Sequence, residues 1–340
     1  MRHHILPRGS IRATAPASLG RRNALGLIAG ASIMGVGHAA GAADYQQFLS
    51  SVRAQALAQG LSAAVVDRAL ALTREPNAHV LKLDRHQPEF TLTWAQYRER
   101  VIGPKRIDQG RASYGEQQAL LSRISAQYGV DTGVIMGIWG LESGFGAHIG
   151  TFSVVDALAT LGFDARRAVF FRSELLKALT ILNAGDVAPE AMLGSYAGAM
   201  GQPQFMPSAY LRFAVDADGD GRRDIWTSRA DVFASVANYL AKSGWQPGEP
   251  WGQAITLRET LPVGMIGRGH RMSLADWMRH GVRRDDGQAF SRTDVMGAVL
   301  QPDGPGTEAF MVYRNFDAIR RYNPSDFYAL GVGLLGYDIT

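Results

Sequence analysis

Cysteine is absent from the 340 residues, which excludes disulfides, thiolate-held metals, iron–sulfur clusters, a cysteine nucleophile and a lipid anchor on a processed N-terminal Cys. Low-complexity sequence is scarce, and 46% of the residues are hydrophobic, which is too apolar for a disordered chain. Long apolar runs are missing too. The stretch Ala24–Gly37 has 14 residues, where a membrane span needs about 20, and nothing later is longer and as apolar. Acids are missing from one region only: residues 1–42 carry five arginines and no Asp or Glu. From residue 43 onward, 30 basic residues face 31 acidic ones, so the net charge of +4 belongs to the leader. The body has no dense Lys/Arg run to neutralise a phosphate backbone, and a nucleic-acid partner is not expected.

The leader has the order of an export signal. Arg21-Arg22 precede the apolar stretch, and Ala40-Gly41-Ala42 offers an A-x-A cleavage site before Ala43. The paired arginines suit the twin-arginine route, but Ala24 and Gly26 fit that motif poorly and leave the general secretory route open. An exported, periplasmic protein without a stable membrane anchor is expected, with residues 1–42 removed.

Periodicity predicts a mainly α (α+β) body. Phe48, Val52 and Ala56 recur at helical spacing, Gly60 interrupts, and Ser62 opens a second helix through Leu72. A less regular stretch is expected up to about Gly110. Leu120, Ile124 and Tyr128 then share one helix face that Gly129 ends, and Asp131 caps an apolar helix over 132–142. Further helices are expected over 165–183 and 230–242. Past Gly244 the texture turns to strands, with 295–300 and 308–313 forming a hairpin and a short helix over 273–280. Asn323-Pro324 has the order of a helix start and leads a last apolar helix through Leu335. The divisions expected are an N-terminal helical domain (43–110), a catalytic core (111–243), a small β-rich domain (244–313) and a C-terminal helix returning to the core (314–340).

Three segments carry chemistry. Glu142 ends the apolar helix, in Trp139-Gly140-Leu141-Glu142-Ser143-Gly144-Phe145-Gly146. The negative helix end and the apolar neighbours both disfavour its ionised form and push its pKa towards that of an acid able to donate a proton near neutrality. A helix-terminal Glu that merely reaches water is the competing reading. The block Ser195–Tyr210 (Ser-Tyr-Ala-Gly-Ala-Met-Gly-Gln-Pro-Gln-Phe-Met-Pro-Ser-Ala-Tyr) joins small residues, amides, hydroxyls and aromatics without charge, a set that suits a sugar or a close packing turn. Asp216, Asp218, Asp220, Arg222 and Asp224 follow the ligand spacing of a calcium loop with Gly221 at the sixth position, but Thr227 stands at position 12, where a bidentate acid is expected. The histidines of the mature chain are scattered without metal spacing, so zinc is not expected.

Leu141–Gly146, the Ser195–Tyr210 block, Ala237-Asn238-Tyr239-Leu240 and Arg321-Tyr322-Asn323 together resemble the membrane-bound lytic murein transglycosylase B family, in the right order over roughly residues 44–335. The resemblance implies a lysozyme-like helical core with an added helical domain and a small β-domain. It implies Glu142 as the single catalytic acid, Ser195 as the hydroxyl that orients it, and Tyr97, Gln204, Tyr239, Tyr322 and Asn323 along a saccharide groove. A metal-binding loop at Asp216–Thr227 belongs to the same pattern, giving a structural calcium and no cofactor needed for chemistry. The implied partner is the peptidoglycan glycan strand, and the implied reaction is cleavage of the β-1,4 bond between N-acetylmuramic acid and N-acetylglucosamine. Glu142 would serve as acid and then base, closing a 1,6-anhydro ring. A muramidase of the same fold and a non-catalytic murein-binding protein are the alternatives.

Overall fold

The computed structural model describes residues 36–85, 92–164 and 166–340, with side chains from residue 43 onward. Among the described residues the α-helices are α1 (Val36–Ala58), α2 (Ala63–Leu70), α3 (Ala78–Arg85), α4 (Trp94–Val101), α5 (Pro104–Tyr128), α6 (Thr132–Ser143), α7 (Val154–Phe163), α8 (Ala168–Ala184), α9 (Pro207–Phe213), α10 (Arg229–Lys242), α11 (Leu274–Arg279), α12 (Arg314–Tyr322) and α13 (Asp326–Ile339). The strands are β1 (Phe152–Ser153), β2 (Leu193–Gly194), β3 (Gly252–Leu257), β4 (Arg271–Ser273), β5 (Val282–Arg284), β6 (Met296–Leu300) and β7 (Ala309–Val312). A mainly helical body with a small sheet near the C-terminus matches the expectation from periodicity, and Ala42–Thr340 forms one compact unit. Most of the expected leader lies outside the described residues; Ala40-Gly41-Ala42 falls within α1.

Two expectations need correction. The stretch expected to be irregular up to Gly110 holds α3, α4 and the start of α5. Its start signals are local rather than periodic: Thr93 and Gln96 form a reciprocal capping box on α4, and Pro104 occupies the first turn of α5. Likewise α13 begins after Ser325, whose hydroxyl accepts from the Tyr328 N–H, and not at Asn323-Pro324. Asn323 instead turns the chain ahead of the helix, its side-chain oxygen accepting from the Ser325 N–H at 3.1 Å. The helix also runs on to Ile339.

The apolar side chains collect into three clusters. In one, the stripe Tyr45, Leu49, Val52 and Ala56 of α1 packs with α2, α7 and α8 and with Met200, Phe205 and Trp226. A second gathers α5, α6, α10, α12 and α13 around Ile135, Trp139, Phe233 and Leu335. The third lies within the β-rich region around Trp277, Val299 and Met311. That region is an antiparallel sheet in the order β4-β6-β7-β3-β5, in which the expected hairpin pairs Val299 with Met311 and Leu300 with Phe310. Alternation along this hairpin explains why both its faces are buried. Ala298, Leu300, Phe310 and Val312 point into the helical cluster, while Val299, Ala309 and Met311 point into the third. The hairpin turn also fixes α4: Asp303 accepts from the Trp94 and Ala95 N–H groups, and Glu308 accepts from the Trp94 indole at 2.7 Å and from Arg98 at 2.6 Å.

α6 is apolar all round because it is enclosed all round; residues 133–140 are buried without exception. Its main partner is α13, and glycine sets the approach. A Cβ on Gly137 would lie 2.1 Å from the Val332 carbonyl oxygen, and one on Gly336 would lie 2.2 Å from the Gly133 carbonyl oxygen. The two backbones touch where any side chain would hold them apart. Gly137→Ala is therefore expected to destabilise the fold by roughly 1–3 kcal/mol or more through overpacking. Gly115→Ala, on α5 with no atom within 4 Å of the new methyl group, should be neutral or stabilising. Denaturant midpoints of the two variants measure the contrast.

Candidate active site

The C-terminus of α6 is shaped by three successive left-handed residues, Gly144 (φ 57°), Phe145 (φ 60°) and Gly146 (φ 85°). Glycine adopts this conformation freely, but at Phe145 it costs about 1 kcal/mol or more of backbone strain. Burial holds it there: its ring packs edge-on to Trp139 at 5.5 Å and fills the space left by Gly110 and Gly140. The turn sends the chain back across the helix end, where Gly150 meets the backbone of Gly194 and Ser195. Gly146 likewise abuts Gln202 and Arg229, and Gln202 accepts from the Trp139 indole at 2.8 Å while its own amide donates to the Trp226 carbonyl at 2.7 Å. Gln202 is thus structural.

This turn leaves Glu142 half-buried over an apolar floor. Desolvation pushes its carboxyl up to about 7, and the hydrogen bond donated by the Tyr328 hydroxyl, at 2.6 Å, opposes the rise. Burial dominates, so near neutrality the group is held between its acid and base forms. Among the described residues, no neighbouring carboxylate contributes to the shift.

Two of the residues expected along a groove, Tyr97 and Tyr322, lie close enough to feel the charge of this carboxyl. Tyr97 of α4 stacks on Trp94 at 6.0 Å and approaches Phe327 at 5.7 Å; burial and then the Glu142 charge push its hydroxyl up to about 12. Tyr328 stacks on Tyr322 at 6.5 Å, and Tyr322 lies 4.6 Å from Tyr239, so tyrosines lead away from Glu142 in a ladder. Burial, with the Glu142 charge second, raises the hydroxyl pKa of both Tyr322 and Tyr328. Tyr322 donates to the Pro203 carbonyl at 2.6 Å, and Tyr239 donates to the Arg321 carbonyl. The sequence block around Gln204 is tied to the same place. Gln204 is itself left-handed (φ 52°) and donates to the Ile149 and Gly201 carbonyls at 3.0 and 2.8 Å. Asn323 follows Tyr322, but its side-chain oxygen is engaged by Ser325.

Ser195 lies beside the returning turn, just past β2, with its hydroxyl accepting from the Ala199 N–H at 3.1 Å. The hydrogen bond to the Glu142 carboxyl comes from Tyr328, a residue that nothing in its sequence neighbourhood singles out. In the sequence Tyr328 is one more large residue on an apolar helix. Only the six-residue step from Tyr322 and the glycine-rich face of α13 hint at its position.

The acidic loop also assembles differently from its spacing. Asp216, Asp218 and Asp231 bring carboxylate oxygens within 4.8 Å of one another. Asp220 pairs with Arg222 at 3.0 Å, and Asp224 accepts from the N–H groups of Trp226 and Thr227 and from the Thr227 hydroxyl. Position 12 has no carboxylate, and the third acid comes from the first turn of α10, one helical turn further on. Burial, together with the charges of Asp218 and Asp216, pushes Asp231 up to about 6 against the backbone N–H bonds that it accepts from Ala217 and Asp224. Three hard oxygen donors gathered within one acidic loop fit a calcium ion, which Asp216, Asp218 and Asp231 would hold and which would offset their mutual repulsion. Calcium at millimolar levels is expected to raise Tm. Asp231→Asn should remove that rise and Thr227→Ala should leave it, as read by scanning calorimetry; no rise in the parent protein would refute a cation site here.

Comparison with known proteins gives this geometry a family. The transglycosylase SLT domain matches residues 44–337. The chain is 34% identical over 248 residues to membrane-bound lytic murein transglycosylase B of Escherichia coli strain K12, covering 73% of this chain and 67% of that protein. SltB3 from Pseudomonas aeruginosa, in complex with NAG-anhNAM-pentapeptide, superimposes with a TM-score of 0.83 at 41% identity, covering 87% of this chain and 79% of that one. The Escherichia coli lytic transglycosylase Slt35 in complex with calcium superimposes with a TM-score of 0.71 at 30% identity, covering 87% and 92%. With the family model spanning nearly all of the compact unit, this chain belongs to the transglycosylase SLT domain family.

Proposed function

We propose that this chain is a lytic murein transglycosylase that cuts the β-1,4 bond between N-acetylmuramic acid and N-acetylglucosamine in peptidoglycan with Glu142 as the only acid–base group. The observation that carries the reading is a single carboxyl raised to about 7 by desolvation, with no carboxylate partner contributing among the described residues. Glycosidases that work by hydrolysis or by a covalent intermediate position two carboxylates about 5–10 Å apart, one on each side of the bond. A lone group that is readily protonated and deprotonated near neutrality suits a reaction whose nucleophile is internal to the substrate.

As an acid, Glu142 gives its proton to the glycosidic oxygen while the muramic ring becomes oxocarbenium-like. As a carboxylate, it then takes the proton of the muramoyl O6 hydroxyl, and O6 closes onto C1. The anhydro ring forms and no water is consumed. No cofactor enters these steps: acid, base and nucleophile come from Glu142 and the sugar. Tyr328 holds the carboxyl in place by its 2.6 Å bond and partly stabilises the charged form between the two transfers. Tyr97, Tyr239, Tyr322 and Gln204 line the groove for the strand, with Asn323 and Ser195 at its borders. A calcium ion on Asp216, Asp218 and Asp231 would brace the loop without joining the chemistry. The relatives are wall-acting enzymes, and the arginine-led leader supports export of this chain to the periplasm.

Mass spectrometry of fragments released from purified sacculi is the direct test. The wild-type chain should release anhydro fragments lighter than the hydrolytic ones by one water, and Glu142→Gln should release none while still binding. Reducing-end products would show that water enters and that the chain is a muramidase. The pH dependence follows from the sign of the Glu142 shift. The free enzyme must carry a protonated acid, so kcat/KM should fall as pH rises through about 7. Tyr328→Phe removes a bond that favours the carboxylate, and the alkaline limb of that profile should move upward in pH, with kcat reduced roughly 10-fold or more.

A further inference from the structure

Two clefts open at the other end of α6 from Glu142, with volumes of about 500 and 240 Å³. They share Asp131, Trp245, Glu249 and Pro250, and so form one continuous groove. α6 has 12 residues, which places this groove roughly 18 Å along the helix from the catalytic carboxyl. Nothing in the proposed reaction uses it.

Its composition is selective. Trp245 and Trp251 line it, and Tyr337 stands at its rim with 81% of its surface exposed. The two tryptophans are fixed before any ligand arrives, with Trp245 itself buried beneath the groove. The Trp245 indole donates to the Gly129 carbonyl at 2.9 Å, and the Trp251 ring lies directly on the bare backbone of Gly333, 2.1–2.5 Å from where a Cβ would stand. The charged groups lining the groove are the carboxylates of Asp131 and Glu249, and neither cleft is lined by a Lys or Arg. Asp131 caps the first turn of α6 through one oxygen, and Glu249 pairs with Arg292 through one oxygen at 3.0 Å. Each carboxylate has a second oxygen left to accept. An acceptor-rich wall whose neighbouring cation, Arg292, is already paired with Glu249 offers no free positive charge to phosphate-bearing polymers and favours a neutral ligand dense in O–H and N–H donors. The preset Trp251 ring and the exposed Tyr337 favour the same ligand if it also has flat C–H faces.

We infer that this groove is a second glycan-binding site, which takes a run of β-1,4-linked amino sugars away from the bond being cut. The inference rests on the proposed activity, because a polymeric substrate is what two sites on one helix can hold at once. A strand gripped at both places stays on the enzyme between cuts, and its effective concentration at Glu142 is raised by the tether.

The test uses the full chain carrying Glu142→Gln, with and without Tyr337→Ala, co-sedimented with purified sacculi. Tyr337 is so exposed that its loss should leave the fold intact. Loss of one aromatic contact should weaken sacculus binding about 3–10-fold. In the otherwise wild-type chain, Tyr337→Ala should leave kcat/KM on a short soluble muropeptide unchanged. An N-acetylglucosamine tetrasaccharide should shift tryptophan fluorescence in the Glu142→Gln chain, and the shift should weaken in Tyr337→Ala. Equal sacculus binding by the two chains would overturn the site. So would a parallel fall in soluble-substrate kcat/KM, which would place the effect in the catalytic groove or the fold. Displacement from sacculi by a sugar-free stem peptide, and not by the tetrasaccharide, would overturn the glycan assignment. Failure of the proposed activity itself shows elsewhere, as absence of anhydro fragments from the parent chain.

Discussion

Everything at the site depends on the contact between the backbones of α6 and α13. The two helices meet at Gly133, Gly137 and Gly336, where carbonyl oxygens occupy the space of absent side chains. That approach removes water from the end of α6 and carries Tyr328 to within 2.6 Å of the Glu142 carboxyl. The same contact thus supplies both opposing influences on the acid: burial, which raises its pKa, and the phenol, which restrains the rise. A looser pair of helices would admit water and leave an ordinary glutamate.

The surroundings of the carboxyl are built with strain that packing offsets. Phe145 and Gln204 are the two described non-glycine residues with positive φ, and both stand at the walls of the site. Phe145 is held by the core beneath it and turns the chain so that Gly150 reaches Ser195; Gln204 is held by two carbonyls. Non-glycine residues keep such conformations where neighbours over-determine them. The small sheet has a comparable role at longer range. Its β6–β7 hairpin is buried on both faces, and its turn caps and pins α4, which carries Tyr97 close enough to feel the Glu142 charge. A region far from Glu142 in the chain thus fixes one of the aromatic side chains beside it.

Much of this architecture is legible in the sequence. The helix over 132–142, its Asp131 cap, the Gly144 stop and the terminal acid are all readable there, because each follows from residues within a turn of one another. The β6–β7 hairpin is readable from its turn residues and alternation. The helices between 73 and 110 are not, since their apolar periods are short and their starts rest on a capping box and a proline. Tyr328 and Asp231 escape notice for a different reason. Tyr328 lies 186 residues from its partner Glu142, and Asp231 falls outside the twelve-residue spacing that marks Asp216 and Asp218.

Residue identity already limits the kinds of chemistry open to this protein. It has no thiol, no cationic track for nucleic acid, no apolar run long enough to cross a membrane as a helix, and one acid at the end of an apolar helix beside an uncharged, amide- and aromatic-rich block. Those conclusions need only residue identity and near spacing. Only folding brings together the phenol that bonds the acid, the third carboxylate of the acidic cluster, and the aromatic groove at the far end of the same helix. Each of these joins residues far apart in the chain. Desolvation and hydrogen bonding depend on distance in space, and helix packing, not sequence spacing, sets that distance.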